Sequence, residues 1–198
     1  ELVDAHIALG MALARRGEHR EAVGCFSRAA QLDPSSLEAF HQQGIAFQDL
    51  GEFDNAVNSY RRALEIDRDL AALHSNLGSA LRELGRNEAA IASFERALEI
   101  SPKVADVRYN LGLTFQITGR MDLAATSYFK TLEVENDHFG ACMHLGIVLH
   151  ELGQYEKSLL HSRRAIELQP SNEKGHLNLG PGLTRIGRLD EAVTCYLR

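Results

Sequence analysis

The chain has 198 residues, 44% of them hydrophobic, and a formal net charge of −6. The apolar share is ordinary for a globular protein. The negative balance argues against a general nucleic-acid binder, whose domains carry a basic stripe, and no run of roughly 18 apolar residues is present to span a membrane.

The glycines set the frame for everything else. Gly10, Gly44, Gly78, Gly112, Gly146 and Gly180 recur every 34 residues, and so do Gly17, Gly51, Gly85, Gly119, Gly153 and Gly187. A fixed period of about 20–50 residues marks a solenoid or an array. The units run 3–36, 37–70, 71–104, 105–138 and 139–172, with a partial sixth at 173–198. No linker or low-complexity tract interrupts them, so 1–198 reads as a single domain.

In the first unit, Ile7, Leu9, Gly10 and Leu13 share one helix, and Ala22, Phe26 and Ala29 a second. The turn Asp33-Pro34-Ser35-Ser36 then offers a serine N-cap to the next unit. The second unit keeps Gly44, Phe47, Ala56, Tyr60 and Ala63 but has Gln43 for leucine and Arg68 for proline. The third is the most regular. Leu73, Leu77, Leu81 and Leu84 recur at helical spacing, Gly85 sits where a left-handed residue ends a helix, and Ala90, Phe94 and Ala97 carry the partner helix up to Pro102. The small Gly78 and Ala90 let the two helices approach, and Leu81 and Phe94 fill the space beside them.

The fourth unit keeps Leu111, Gly112, Phe115, Ala124 and Tyr128, with Thr131 in place of alanine and Asn136 in place of proline. The fifth has Ser158 for alanine and Ser162 for the aromatic, a pair expected to loosen local packing or to leave room for a neighbour. In the sixth, Pro181 falls inside the first helix. An interior proline costs about 3 kcal/mol or more, so a kink or early break is expected near Leu177–Pro181. Glu1 in place of Met, and an end inside a second helix, read as cuts in a longer protein. Cys25, Cys142 and Cys195 have neither metal nor redox spacing and read as small buried residues.

The third unit contains His74-x2-Leu77-Gly78-x2-Leu81, then Ala90-x3-Phe94, then Pro102. This resembles the tetratricopeptide repeat pattern W-x2-L-G-x2-Y, A-x3-F, P, and the resemblance covers nearly the whole chain. It implies an all-α, right-handed superhelical solenoid of helix-turn-helix repeats, with the first helix of each pair lining a concave face. Histidines at the Trp position (His6, His74, His176) then have a packing role.

Two residues before each first-row glycine stand Ala8, Gln42, Asn76, Asn110, His144 and Asn178. An asparagine offers an acceptor and a donor together, so such a row can pair with both backbone groups of an extended peptide. The row resembles the asparagine ladder of O-linked N-acetylglucosamine transferases, residue by residue, at Asn76, Asn110 and Asn178. Gln42 and His144 vary on it, and Ala8 departs from it. Structural hydrogen bonding between helices is the alternative reading of the same row. His41, Tyr109, Met143, Arg82, Gln116 and His150 share that helical face, with Tyr109 the leading aromatic anchor. The chaperone-tail carboxylate clamp known in the family needs lysines and arginine that no three successive units supply.

No catalytic constellation emerges. There is no H-E-x-x-H, no pair of histidines at i, i+4, and no G-x-S-x-G elbow; the glycines are assigned to the repeat, not to a phosphate loop. Carboxylate pairs such as Glu52/Asp54 and Asp190/Glu191 suit helix N-termini. The expectation is a non-enzymatic scaffold in the cytoplasm without cofactor or metal. Its partner is another protein or peptide held in the groove at Gln42, Asn76, Arg82, Tyr109, Asn110, Gln116, His144 and Asn178. Two other readings stay open: the substrate-recognition region of a larger enzyme such as a glycosyltransferase, and a self-assembly module using its uncapped ends.

Overall fold

The computed structural model describes residues 1–197, which form twelve helices in an all-α solenoid. The chain folds as two compact units, Glu1–Pro102 and Lys103–Arg198. The first holds α1 (Leu2–Arg15), α2 (His19–Leu32), α3 (Leu37–Asp49), α4 (Phe53–Ile66), α5 (Ala71–Glu83) and α6 (Asn87–Ile100). The second holds α7 (Ala105–Ile117), α8 (Met121–Val134), α9 (Phe139–Glu151), α10 (Tyr155–Leu168), α11 (Glu173–Arg185) and α12 (Leu189–Tyr196).

Both glycine rows have a physical cause. Gly17, Gly51, Gly85, Gly119, Gly153 and Gly187 all have φ between 71° and 82°. Each ends a first helix in the left-handed conformation that glycine adopts without a Cβ penalty. The residue after it turns back to bond the helix, as Glu18 N does to Leu13 O at 3.0 Å and Arg86 N to Leu81 O at 2.9 Å.

The other row is a contact surface. A Cβ placed on Gly78 would lie 2.8 Å from the Phe94 ring, and one on Gly112 would lie 2.6 Å from Tyr128. Gly10 meets Phe26, Gly44 meets Tyr60, and Gly180 meets Tyr196 in the same way. Phe26, Tyr60, Phe94 and Tyr128 are at most 1% exposed. Five of the six helix pairs are thus closed by an aromatic ring against bare backbone, and in the fifth Gly146 meets Ser162 Oγ instead.

Departures from the repeat are absorbed locally. Gln43 donates to Ser27 Oγ on α2 and accepts from Ser59 Oγ on α4, both at 2.9 Å, so an amide bridges where leucine packs elsewhere. Buried Thr131 donates its hydroxyl to Ser127 O at 3.0 Å. After α4, which lacks the proline, Asp67 Oδ1 accepts from Asp69 N at 3.0 Å and shapes the turn. His74 and His176, at the Trp position, each reach back to the preceding turn, at Arg68 O (2.9 Å) and Pro170 O (3.1 Å). In the fifth pair Ser158 Oγ donates to Gly146 O at 2.6 Å, while Ser162 Oγ and His150 Nδ1 are buried without a partner. They occupy the places where Tyr128 and Gln116 bond each other one pair earlier.

The expected break at Pro181 does not occur: α11 runs unbroken from Glu173 to Arg185 with Pro181 inside it. Pro181 is only half-buried, and Gly180 and Gly182 beside it add no side chains to the crowding. The missing N–H still deprives Leu177 O of its helical donor. Pro181→Ala is therefore expected to raise the stability of the second unit by up to about 3 kcal/mol, read as a higher urea midpoint. An unchanged midpoint would mean that the helix already accommodates proline without cost.

Within each unit the first helices meet one another in sequence, α1 with α3 and α3 with α5, α7 with α9 and α9 with α11. The second helices stand further apart and meet through side chains, as Phe129 and His161 do with ring centroids 5.4 Å apart. The first helices therefore line the inner side of each unit.

Candidate functional site: the inner face of the first helices

In the first unit the row residues Gln42 and Asn76 lie on α3 and α5 and are half-buried. Asn76 Nδ2 lies 3.1 Å from His41 Nε2. An amide nitrogen only donates, so His41 carries its proton on Nδ1. Burial lowers the pKa of His41, against the opposing charge of Glu38. Gln42 Nε2 donates to Glu38 Oε1 at 2.7 Å along the same helix. Tyr60 donates its hydroxyl to Gln48 Oε1 at 3.1 Å, and burial pushes its pKa far up, keeping it a donor. Arg82 Nη2 meets Glu83 Oε1 at 3.1 Å, with 17% of its side chain exposed.

The second unit gathers more. Tyr109 on α7 lies among three rings: His138 at 4.7 Å, His144 at 5.8 Å and Tyr128 at 5.9 Å between centroids. Gln116 Oε1 accepts from the Tyr128 hydroxyl at 2.8 Å and meets His144 Nδ1 at 3.1 Å. A carbonyl oxygen can only accept, so His144 is protonated on Nδ1 and its lone pair is on Nε2. Burial lowers the His144 pKa, so the ring stays neutral. His138 caps α9, its Nδ1 accepting from Ala141 N at 3.0 Å. That leaves the proton on Nε2, which lies 3.6 Å from Asp106 Oδ1.

The structure thus brings Tyr109, Gln116 and His144 together, with Asn110 beside them on α7. Asn178 stands on α11, which packs against α9. Tyr109 is half-buried, not the exposed tyrosine of an ordinary surface helix. His150 turns to Tyr155 at the start of α10, with centroids 5.3 Å apart. The sequence reading missed His138, Tyr128, Asp106 and Gly140. Gly140, like Gly24, Gly175 and Gly182, belongs to neither glycine row, contrary to the assignment of the glycines to the repeat. A Cβ there would lie 2.8 Å from the Tyr109 hydroxyl. The signal was available: the same place holds Asp4, Glu38, Ala72, Asp106 and Lys174 in the other units, and glycine occurs only opposite the one tyrosine.

The half-buried histidines set a pH dependence. His41, His144 and His161 each have a pKa lowered from 6.5, with burial the leading cause. Below that value the unfolded chain takes up protons before the folded one. Their stabilising effect is complete above about pH 6.5 and is lost as pH falls through the folded-state values. The urea midpoint is expected to fall on acidification below that point, and to fall less steeply in His144→Asn. A flat profile would contradict the lowered pKa of these half-buried rings.

Helix pairs of this length, closed by a glycine–aromatic contact and stacked through their first helices, define a helical-repeat protein. The chain belongs to the tetratricopeptide repeat family: family models described as "TPR repeat" match residues 44–81 and 78–119, and two described as "Tetratricopeptide repeat" match 3–36 and 139–172. A search of curated proteins returned no match. Solved structures are similar in fold. PilF of Pseudomonas aeruginosa is 25% identical with a TM-score of 0.85, covering 100% of this chain and 90% of its own. MamA is 24% identical with a TM-score of 0.80, covering 86% and 93%. YrrB, described as a TPR protein with an unusual peptide-binding site, is 22% identical with a TM-score of 0.74, covering 86% and 88%. None of the helices of the described residues is long and apolar enough to cross a membrane.

Proposed function

We propose that the chain is a protein-interaction scaffold that holds an extended peptide segment against the inner face of its first helices. The observation that carries this reading is the row Gln42, Asn76, Asn110, His144 and Asn178, which recurs every 34 residues on the helices lining the inner side of each unit. Amide and imidazole groups at a constant repeat offer hydrogen bonds to a backbone whatever its side chains. His41 and Gln116 hold two members of the row in fixed orientations, so little ordering is left for the ligand to bring about. The peptide-binding site named for YrrB supports a peptide as the occupant of such a fold.

The test uses a peptide selected from a random display library on the immobilised chain. Its affinity is expected to fall at least about tenfold in Asn76→Ala/Asn110→Ala/Asn178→Ala, since each lost hydrogen bond is worth about 0.5–1.5 kcal/mol. Circular dichroism should be unchanged. Undiminished affinity would assign the row to structural hydrogen bonding alone.

A further inference from the structure

One rung of the row is held by an imidazole. His41 and Asn76 are half-buried on the neighbouring first helices α3 and α5, and Asn76 Nδ2 lies 3.1 Å from His41 Nε2. An amide nitrogen has no lone pair to give, so this bond exists only while Nε2 carries no proton. The bond also fixes which way the amide faces. Nδ2 is turned to the ring, and Oδ1 is turned away from it with no partner among the described residues. In this state the rung offers an acceptor to a ligand N–H.

A second proton on His41 reverses the rung. Both ring nitrogens of a charged imidazole donate, so Nε2–H and the Asn76 N–H would then point at each other. The conflict ends when the amide turns over about its terminal torsion, which is broad and roughly two-fold. Oδ1 then accepts from Nε2–H, and the NH2 faces outward as a donor. The other imidazole bond of the row does not reverse in this way. His144 Nδ1–H already donates to Gln116 Oε1, and a proton added at Nε2 leaves that bond intact. The surroundings of His41 are simple. Burial opposes its charge, and Glu38 on its own helix is the one charged side chain that favours it. From α4 it faces the Tyr60 ring, with centroids 6.4 Å apart, and burial keeps that hydroxyl protonated. From α5 it faces neutral Asn76, and among the described residues α1 and α2 bring no charge to bear on it. We infer that His41 is a positioning residue that sets whether Asn76 offers an acceptor or a donor to the bound segment, and that protonation of His41 reverses the rung. This rests on the reading of the first-helix row as the binding face and adds what sets the polarity of one of its rungs.

NMR of the free chain tests the pair before any ligand is added. At about pH 8, above the ordinary imidazole range, the His41 nitrogen shifts should place the proton on Nδ1. The Asn76 side-chain N–H signals should show cross-relaxation with the His41 ring C–H protons. As pH falls through the His41 titration, those contacts should vanish with the same midpoint, while circular dichroism stays unchanged. A proton on Nε2 at pH 8, or contacts that persist once the ring is charged, would overturn the inference. A peptide selected on the chain at pH 8 then reads the consequence. Its affinity should fall roughly threefold or more across that midpoint, the scale of one hydrogen bond. The fall should be smaller in His41→Gln, which takes up no proton there. By reciprocity the bound peptide should lower the His41 midpoint. An equal fall in both chains, or a midpoint that the peptide leaves unmoved, would also overturn the inference. The two failures are distinguishable. A triple variant that keeps its affinity sinks the inner-face reading. An Asn76 amide that ignores the His41 proton, in a chain whose triple variant still loses its peptide, sinks only the role given to His41.

Discussion

Phe94→Ala is expected to destabilise the first unit by about 3–5 kcal/mol, the usual cost of emptying a fully buried phenylalanine site. Phe94 is 0% exposed, and its ring covers Gly78 so closely that a Cβ there would lie 2.8 Å away. The cavity cannot close by small shifts, because α5 is also held by Leu73 and Leu81, both buried. In a repeat array, stability is nearly a sum of unit and neighbour terms. The loss should therefore appear first as faster amide exchange in α5 and α6. The reciprocal change, Gly78→Ala, overpacks the same contact and is expected to cost about 1–3 kcal/mol. The pair is strongly coupled. In Phe94→Ala the added methyl enters open space and keeps the roughly 1 kcal/mol helix-propensity gain of alanine over glycine. The double variant should thus be markedly more stable than the sum of the singles implies. Additive losses in urea unfolding would mean that the glycine row is not set by the aromatic row.

Tyr128→Ala carries the second large effect, again about 3–5 kcal/mol, and it separates packing from orientation when set beside Tyr128→Phe. Tyr128 is 0% exposed and lies against Gly112, so the ring alone accounts for most of the loss. The hydroxyl donates to Gln116 Oε1 at 2.8 Å, and the same oxygen orients His144. Phenylalanine keeps the packing and removes one hydrogen bond, for a stability cost of about 1 kcal/mol. Gln116 is then free to turn, and His144 loses its fixed tautomer and pose. Peptide affinity should therefore fall in Tyr128→Phe although the residue touches no ligand. Unchanged affinity in that variant would reduce the Tyr128–Gln116–His144 chain to a packing device.

The architecture was legible because one unit is written six times. Any single Gly78 or Phe94 is ambiguous, but six glycines at a spacing of 34 leave one period and one pair of helices per period. The interior proline misled because its local cost was weighed without its surroundings. Pro181 sits half-exposed between two glycines, and α11 continues through it. The polar row was visible for the same reason as the fold, as a column of the repeat. Its partners were not. Asn76 meets His41 from the helix pair before, and His144 meets Gln116 across 28 residues. Such contacts depend on how one first helix leans on the next, which periodicity does not encode. Gly140 is one of four glycines outside the two rows, and periodicity alone does not show that its bare backbone faces the Tyr109 hydroxyl.

The binding role proposed for the inner face requires that this face meet the ligand. The most direct measurement is amide hydrogen exchange of the full chain with and without the library-selected peptide. Protection is expected in the first helices, α5, α7, α9 and α11, with exchange in the second helices α4, α6, α8 and α10 unchanged. Protection centred on the second helices, or on the terminal helices α1 and α12 alone, would contradict it.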